Sequence, residues 1–390
     1  KCYYAFISGR LLKEMRNPFK YGTVVTGNDF ADREDEFKEL TAKLQETIRI
    51  FLLGPRRYGK TSLIQSVLNR LSKKGLLVVY IDLYWANSSK EFFELYASSI
   101  MRGSKSITRR AAHFMKNYLP RLRPRLSIDA AGNPELSLDM SADDSAMAAA
   151  EVFDLPEKIA QAERKRYVVV FDEFQEIMRL DGSALERQLR AAIQHHNHVS
   201  YVFAGSKTHM LLDMITDETR PFYQMGALMY LDKIPFDEFS AFIANKFTKS
   251  GKKISAEVVN HILEICENVP HYVQLLCFNV WDHFSKAPRI SHTHIQKALI
   301  NTLRSQEPAY LMLWEGLTRH QRKTLKAVAA LKGRLMTAKE SIRTHDLESA
   351  SNVAKSLRAL CKKGILRKDN STYVFEDIFF GRWAETLQQE

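Results

Sequence analysis

The sequence predicts an α/β protein: a parallel-sheet core carrying a phosphate-binding loop, then an α-helical lid, then a C-terminal winged helix-turn-helix. Three observations predict it. Ile48 to Leu71 reads as strand, glycine loop and helix in immediate succession. From there to Leu231, apolar runs alternate with amphipathic helical stretches, the pattern of a parallel sheet covered on both faces. Beyond Phe236 the periodicity is helical only, until a strand–turn–strand close to the C-terminus.

Composition bounds the function. The 390 residues suffice for two or three domains with a substantial core. No apolar run approaches the ~20 residues that span a bilayer, and the N-terminus does not read as a signal peptide, so no membrane partner is expected. Cys2, Cys266, Cys277 and Cys361 lie far apart without a C-x-x-C pair, which argues against structural zinc or a disulfide framework and for a reducing cytoplasm. A net charge of +12 and a pI near 9.4 favour a polyanionic partner such as nucleic acid, although basic proteins without one are common.

The elements follow in order. Residues 1–21 are an N-terminal arm, of which 1–14 read either as upstream of a true start at Met15 or as a short packed segment. The core spans 22–235. Asp32 is a reasonable N-cap for an amphipathic helix reaching about Leu44. Ile48 to Leu53 is the first strand, and Leu63, Ile64, Val67, Leu68 and Leu71 share one face of the helix after the loop. Leu76 to Trp85 is a second strand and Lys90 to Met101 its helix. An insertion over 102–150 begins with eight cations and no acid between Arg102 and Arg125, continues in a hairpin about Gly132-Asn133-Pro134, and turns acidic. Its two halves either neutralise one another or form a basic surface for DNA or a partner. Helix Phe153 to Glu163 leads into a central strand, Tyr167 to Phe171. Helix Ala184 to His195, strand Ser200 to Ser206, helix Met210 to Ile215 and strand Leu228 to Leu231 close the core. The lid, 236–305, holds helices Asp237 to Thr248, Ala256 to Glu267, Pro270 to Lys286 and Thr293 to Arg304. The winged segment, 306–390, holds three short helices and a wing.

The loop GPRRYGKT fits the string G-x-x-x-x-G-K-S/T, in the strand–loop–helix setting that makes it meaningful. Gly54 and Gly59 keep side chains clear while backbone N–H groups converge on a phosphate. Lys60 sets a fixed charge against β- and γ-phosphate oxygens, and the Thr61 hydroxyl can ligate Mg²⁺. Hydrolysis also needs a metal carboxylate and a base. Asp172, about 110 residues further on at the end of an apolar strand expected beside the first, supplies the carboxylate. Glu173, next to it, is placed to act as general base. Ser206, or the Gly205 backbone, is placed to sense the γ-phosphate, with a simple polar strand end as the alternative. Arg220 is the loop arginine best placed to face a neighbouring protomer's nucleotide, in competition with Arg33, Arg56, Arg57 and Arg179; this expects a nucleotide-dependent homo-oligomer. The run His195-His196-Asn197-His198 lacks a carboxylate or cysteine spaced to make a metal site, and so do His292 and His294. In the winged segment Val353, Leu357, Leu360 and Ile365 mark a buried face. Ser351, Asn352, Lys355, Ser356, Lys362 and Lys363 point outward, and Arg367 and Lys368 open the wing. That polarity suits double-stranded DNA and suits a protein partner about equally.

In this order FADRE, GPRRYGKTS, VVVFDEFQEI, FAGS, RPFYQ and VPHYVQLL resemble the archaeal-type ATPase family, on the AAA+/STAND side of the P-loop proteins, over about Asn17 to Lys286. The resemblance implies a P-loop ASCE/AAA+-like core binding ATP and Mg²⁺, a helical lid and a winged helix. It implies a nucleotide site made by Gly54, Pro55, Arg56, Arg57, Tyr58, Gly59, Lys60, Thr61 and Ser62, with Phe30 and Arg33 on the adenine side and Pro270 and His271 in the lid. Glu267-Asn268-Val269-Pro270 stands where the family usually has Gly-Gly-x-Pro or Gly-x-Pro; asparagine can take the left-handed backbone the glycine would supply. The expected activity is ATP hydrolysis that switches the core–lid angle. The alternatives are a DNA-binding regulator in which ATP only sets assembly and a STAND-type scaffold with a protein partner.

Overall fold

A computed structural model of the chain describes residues 16–24, 33–104, 123–128, 134–139 and 145–387. Phe30, Asp32, the first fourteen residues and most of the basic stretch lie outside them. The chain divides into two units, one within Val24–Asp232 and one joining Lys233–Glu390 to the N-terminal residues up to Thr23.

The first unit is built on β1 (Arg49–Leu53), β2 (Leu77–Asp82), a hairpin of β3 (Arg123–Ile128) and β4 (Pro134–Asp139), then β5 (Tyr167–Asp172), β6 (Val199–Gly205) and β7 (Ala227–Tyr230). Five of these make one parallel sheet in the order β2-β5-β6-β1-β7. β3 and β4 pair antiparallel, with Arg123 opposite Asp139. The order corrects one expectation: β5 is not beside β1, because β6 lies between them. A strand apolar on both faces is legible as central, but its neighbours are not. β2 is also shorter than expected. It stops at Asp82, whose carboxylate accepts the Tyr84 N–H at 3.0 Å and turns Leu83–Trp85 into a 3₁₀ turn.

Alternation along the strands divides the core. Val169, Phe171, Tyr201 and Phe203 face one side, where the Phe171 ring stacks on Tyr96 at 5.7 Å and on Phe203 at 5.7 Å. Ile50, Leu52, Val168, Val170 and Val202 face the other, against Leu63, Ile64 and Val67 of helix Lys60–Lys73. Each such side chain contributes about 1.5–3 kcal/mol on burial. The site loops therefore rest on a rigid edge.

The second unit holds helices Phe236–Lys249, Ala256–Ile265, Pro270–His283 and His292–Glu315. Residues of the arm pack on it: Phe19 is buried with its ring 4.7 Å from Phe247, and Asn17 Nδ2 donates to the Phe278 carbonyl at 3.0 Å. Asn268 takes φ +59 and donates to the Ile234 carbonyl at 2.6 Å, the left-handed turn expected of it. The last helix runs past the expected end at Arg304, through Pro308, to Glu315. A proline removes only one N–H bond, and the rest of the helix carries it. Arg319–Leu331, Lys339–Thr344, Ala350–Lys362, β8 (Leu366–Asp369) and β9 (Thr372–Phe375) follow, and then a helix not anticipated, Ile378–Thr386. Asp377 caps it by accepting from Phe379 and Phe380 N–H groups, while Phe379, Phe380 and Trp383 are buried. Ser356 is a second correction. It is buried and bonded to His320 Nδ1 at 2.8 Å, because helical spacing sets it on the face shared by Val353, Leu357 and Leu360. Among the described residues no helix is long and apolar enough to cross a membrane.

Candidate functional site

β1 ends in the loop at Gly54, where a Cβ would lie 2.7 Å from the Leu231 carbonyl oxygen; only glycine fits. Gly59 turns through φ +91 into helix Lys60–Lys73, whose first N–H groups and positive dipole end therefore start at the loop. Lys60 is buried, and its ammonium donates to the carbonyls of Gly54 at 2.6 Å and Pro55 at 2.9 Å. Tyr58 is buried, Arg56 and Arg57 are exposed, and Ser62 is half-buried. Arg33 braces this loop from behind. Its buried guanidinium donates to the carbonyls of Tyr58 at 3.0 Å and Asp232 at 2.6 Å and pairs with Glu36 at 2.8 Å. Burial pulls its pKa down from the ordinary arginine value, with Glu36 opposing.

The acids stand at the carboxyl end of β5. The Thr61 hydroxyl donates to Asp172 Oδ2 at 3.0 Å, so the loop reaches the β5 end although β6 separates the two strands. The Tyr80 hydroxyl donates to the same oxygen at 2.5 Å. Burial first, and Asp172 second, hold the Tyr80 phenol far above its ordinary pKa, so it stays a donor. Asp82 lies opposite Asp172 in register; burial raises its pKa, with Asp172 and Glu173 adding to the rise against the Tyr84 N–H bond. Glu173 sits at φ +49, a left-handed conformation that costs a non-glycine residue about 1–2 kcal/mol. That turn aims its carboxylate at β6, where Oε2 accepts from Ser206 Oγ at 2.9 Å and Gln175 Nε2 at 2.5 Å. Arg56 Nε in turn reaches Ser206 Oγ at 3.3 Å.

The Thr61 hydroxyl and Asp172 carboxylate, 3.0 Å apart beside an ammonium and a helix N-terminus, are hard oxygen donors that would suit a divalent cation. Among the described residues no three His, Cys, Asp or Glu side chains gather as a metal cage. Mg²⁺ needs none, since it takes one or two protein ligands and completes its shell with water and phosphate.

Lys60, Thr61, Asp172, Glu173 and Ser206 are thus brought together. Arg220 is not free to reach elsewhere: it pairs with fully buried Glu186 at 2.7 Å and touches Met178 Sδ at 3.0 Å. Pro270 and His271 belong to the second unit, where Pro270 opens helix Pro270–His283. The histidine run is dispersed, His196 bonding Tyr201 and Asp154 and His198 bonding Glu157. Tyr80, Asp82 and Gln175 escaped the sequence reading. The signal for the first two is alternation, which puts Tyr80 and Asp82 on one face of β2. In the winged segment Ser351, Asn352, Lys355, Lys362, Lys363 and Lys368 are exposed and Arg367 is half-exposed.

Comparison with known proteins bears on the family and the fold. Residues 30–276 match a family described as an ATPase domain predominantly from Archaea, and residues 308–386 match a "probable winged helix domain". Among solved structures, the fold resembles the Walker-type ATPase of Pyrococcus abyssi, with a TM-score of 0.63 at 18% identity over 91% of this chain and 96% of that one. It also resembles two proteins of Aeropyrum pernix. ORC2, solved as ADPNP–ADP complexes, gives 0.53 at 13% identity over 97% and 99% of the two chains. ORC1, solved in complex with DNA, gives 0.51 at 14% identity over 93% and 94%. No curated protein matches the sequence.

Proposed function

The chain belongs to the family of ATPase domains found predominantly in Archaea, and from that premise we propose that it hydrolyses ATP at the loop and uses the cycle as a conformational switch. The observation that carries this reading is the bond from Thr61 on the loop helix to Asp172 on β5, with Glu173 next in the chain. Lys60 exchanges its two carbonyl partners for phosphate oxygens. Thr61 and Asp172 would hold Mg²⁺, which when bound neutralises charge on the phosphates. Glu173 takes the proton of the attacking water on a carboxylate oxygen. Ser206 stands between Glu173 and Arg56, placed to register the terminal phosphate.

The domain assignment belongs to the same proposal: a core over 22–235, a lid over 236–305 and a winged helix over 306–390. A cytoplasmic setting is supported by free thiols at Cys266, Cys277 and Cys361. Double-stranded DNA is the target the exposed cations of helix Ala350–Lys362 and the wing suit best. A protein partner is the second reading, favoured by the exposed apolar run Leu311, Met312 and Leu313. The test is ATP binding and Mg²⁺-dependent phosphate release by the full chain, with and without duplex DNA. Lys60→Ala should weaken nucleotide binding about 100-fold, the loss of one or two charge-assisted hydrogen bonds. Unaltered binding by that variant would refute the site, and DNA that leaves turnover unchanged would favour the protein partner.

A further inference from the structure

Gln175 is 1% exposed, a buried amide two residues past the proposed base. Its Nε2 donates to Glu173 Oε2 at 2.5 Å, and its Oε1 has no hydrogen-bond partner. The carboxylate fixes which way the amide points, since the reverse orientation would set oxygen against oxygen. Room for it is made at the end of β6: a Cβ on Gly205 would lie 2.2 Å from Gln175 Oε1. A buried orphaned oxygen costs about 1–3 kcal/mol, so this amide is poorly explained as a stabilising core residue.

The same Glu173 oxygen also accepts from Ser206 Oγ at 2.9 Å and, over a longer distance, from the Ser206 backbone N–H at 3.4 Å. The two side-chain donors differ in what they are free to do. Ser206 is half-buried at the strand end, and its hydroxyl can rotate toward a phosphate oxygen. Gln175 is buried with its amide against the end of β6, where even a Cβ on Gly205 would lie 2.2 Å away, and has nowhere to turn. We infer that Gln175 is a positioning residue for ATP hydrolysis, anchoring the Glu173 carboxylate at the β6 end while the Ser206 hydroxyl is exchanged between that carboxylate and the nucleotide. This rests on the reading of Glu173 as the base. The left-handed turn at Glu173 belongs to the same device, because it folds the chain so that residues 173 and 175 meet across it. With the anchor in place, loss of the serine hydroxyl's bond leaves the carboxylate held at 2.5 Å and still aimed; without it, only the long bond from the Ser206 backbone N–H at 3.4 Å remains.

The experiment measures steady-state ATP turnover and thermal unfolding of the full chain carrying Gln175→Leu, a near-isostere that removes both the donor and the orphaned oxygen. Turnover number should fall about tenfold or more, since displacement of a catalytic group by 1 Å costs up to about 100-fold. KM for ATP should stay within twofold, because the loop is untouched, and the unfolding midpoint should hold or rise. A merely structural role predicts the opposite pairing, a lower midpoint with little change in turnover per folded molecule. Gln175→Met repeats the test should the leucine variant not fold. Turnover within twofold of the unsubstituted chain overturns the inference, as does a fall in turnover that tracks the midpoint, or failure of both variants to fold. Absence of turnover in the unsubstituted chain overturns the reading of the site itself, and this inference with it.

Discussion

The edge of the sheet and the surface of the winged segment both lay polar groups over an apolar core, yet they hold those groups in different ways. At the sheet edge each functional side chain is fixed by another: Thr61 and Tyr80 on Asp172, Ser206 and Gln175 on Glu173. On and beside helix Ala350–Lys362 the exposed groups make single bonds, Asn352 to Glu348 and Lys363 to the Gly316 carbonyl, or lie at the surface. Chemistry on a phosphate requires dipoles set in advance, because reorganisation at the moment of reaction costs rate. Binding along a polyanion's backbone requires charge at a surface and tolerates long, mobile side chains. The difference teaches that side chain-to-side chain restraint gathers at the sheet edge, while the winged segment leaves its cations at the surface.

Perturbing each region should separate the two. The largest effect is expected at Gly54→Ala, where the added Cβ meets backbone that cannot give. Nucleotide retention should be lost and stability should fall by about 1–3 kcal/mol, read by ligand binding and chemical unfolding. Tyr80→Phe should act more gently. Removing one donor from Asp172 is worth about 0.5–1.5 kcal/mol, so the Mg²⁺ concentration for half-maximal turnover should shift about three- to tenfold at unchanged ATP affinity. Smaller still, replacing Lys355, Lys362 or Lys363 by alanine should lower duplex affinity modestly, without altering basal turnover. The salt slope should fall by about 0.9 for each phosphate no longer neutralised. Turnover that changed with these lysines would erase the distinction between the two regions.

The pH dependence gives a graded test in the core. Burial raises the Glu176 carboxyl, but hydrogen bonds from Arg179 and Lys207 bring it below its ordinary value, and Glu157 is likewise lowered by His198 against its own burial. For both the folded state binds fewer protons than the unfolded one. Their contribution is therefore present at neutral pH and lost as pH falls through the carboxylate range. Glu176→Gln should flatten that part of the stability curve, measured by unfolding at stepped pH.

How much was legible in the sequence follows the same division. Gly54, Gly59, Lys60, Thr61 and Asp172 stand out in the sequence because a phosphate loop permits few residue types at few spacings, and the structure sets Thr61 3.0 Å from Asp172. The position of β6 between β1 and β5 does not stand out, since an apolar strand records that both faces are covered and not which strand lies alongside. Gln175 was passed over because glutamine in a short helical turn ordinarily faces water; the bare strand end at Gly205 is intelligible only once the two are seen to touch. Helix His292–Glu315 extends beyond Arg304 because neighbouring turns carry it through Pro308. The polarity of the winged helix was visible, but Ser356 was misread, because a small hydroxyl fits a buried face as readily as an exposed one.

The loop after β1 and the acids ending β5 are proposed to form a single hydrolytic site, with Glu173 as its base. Single-turnover hydrolysis of ATP by Glu173→Gln tests it most directly. Nucleotide and Mg²⁺ affinity should be retained while the chemical step slows about 100- to 10,000-fold, the range associated with loss of a general base. Hydrolysis by that variant at the rate of the unsubstituted chain would contradict it.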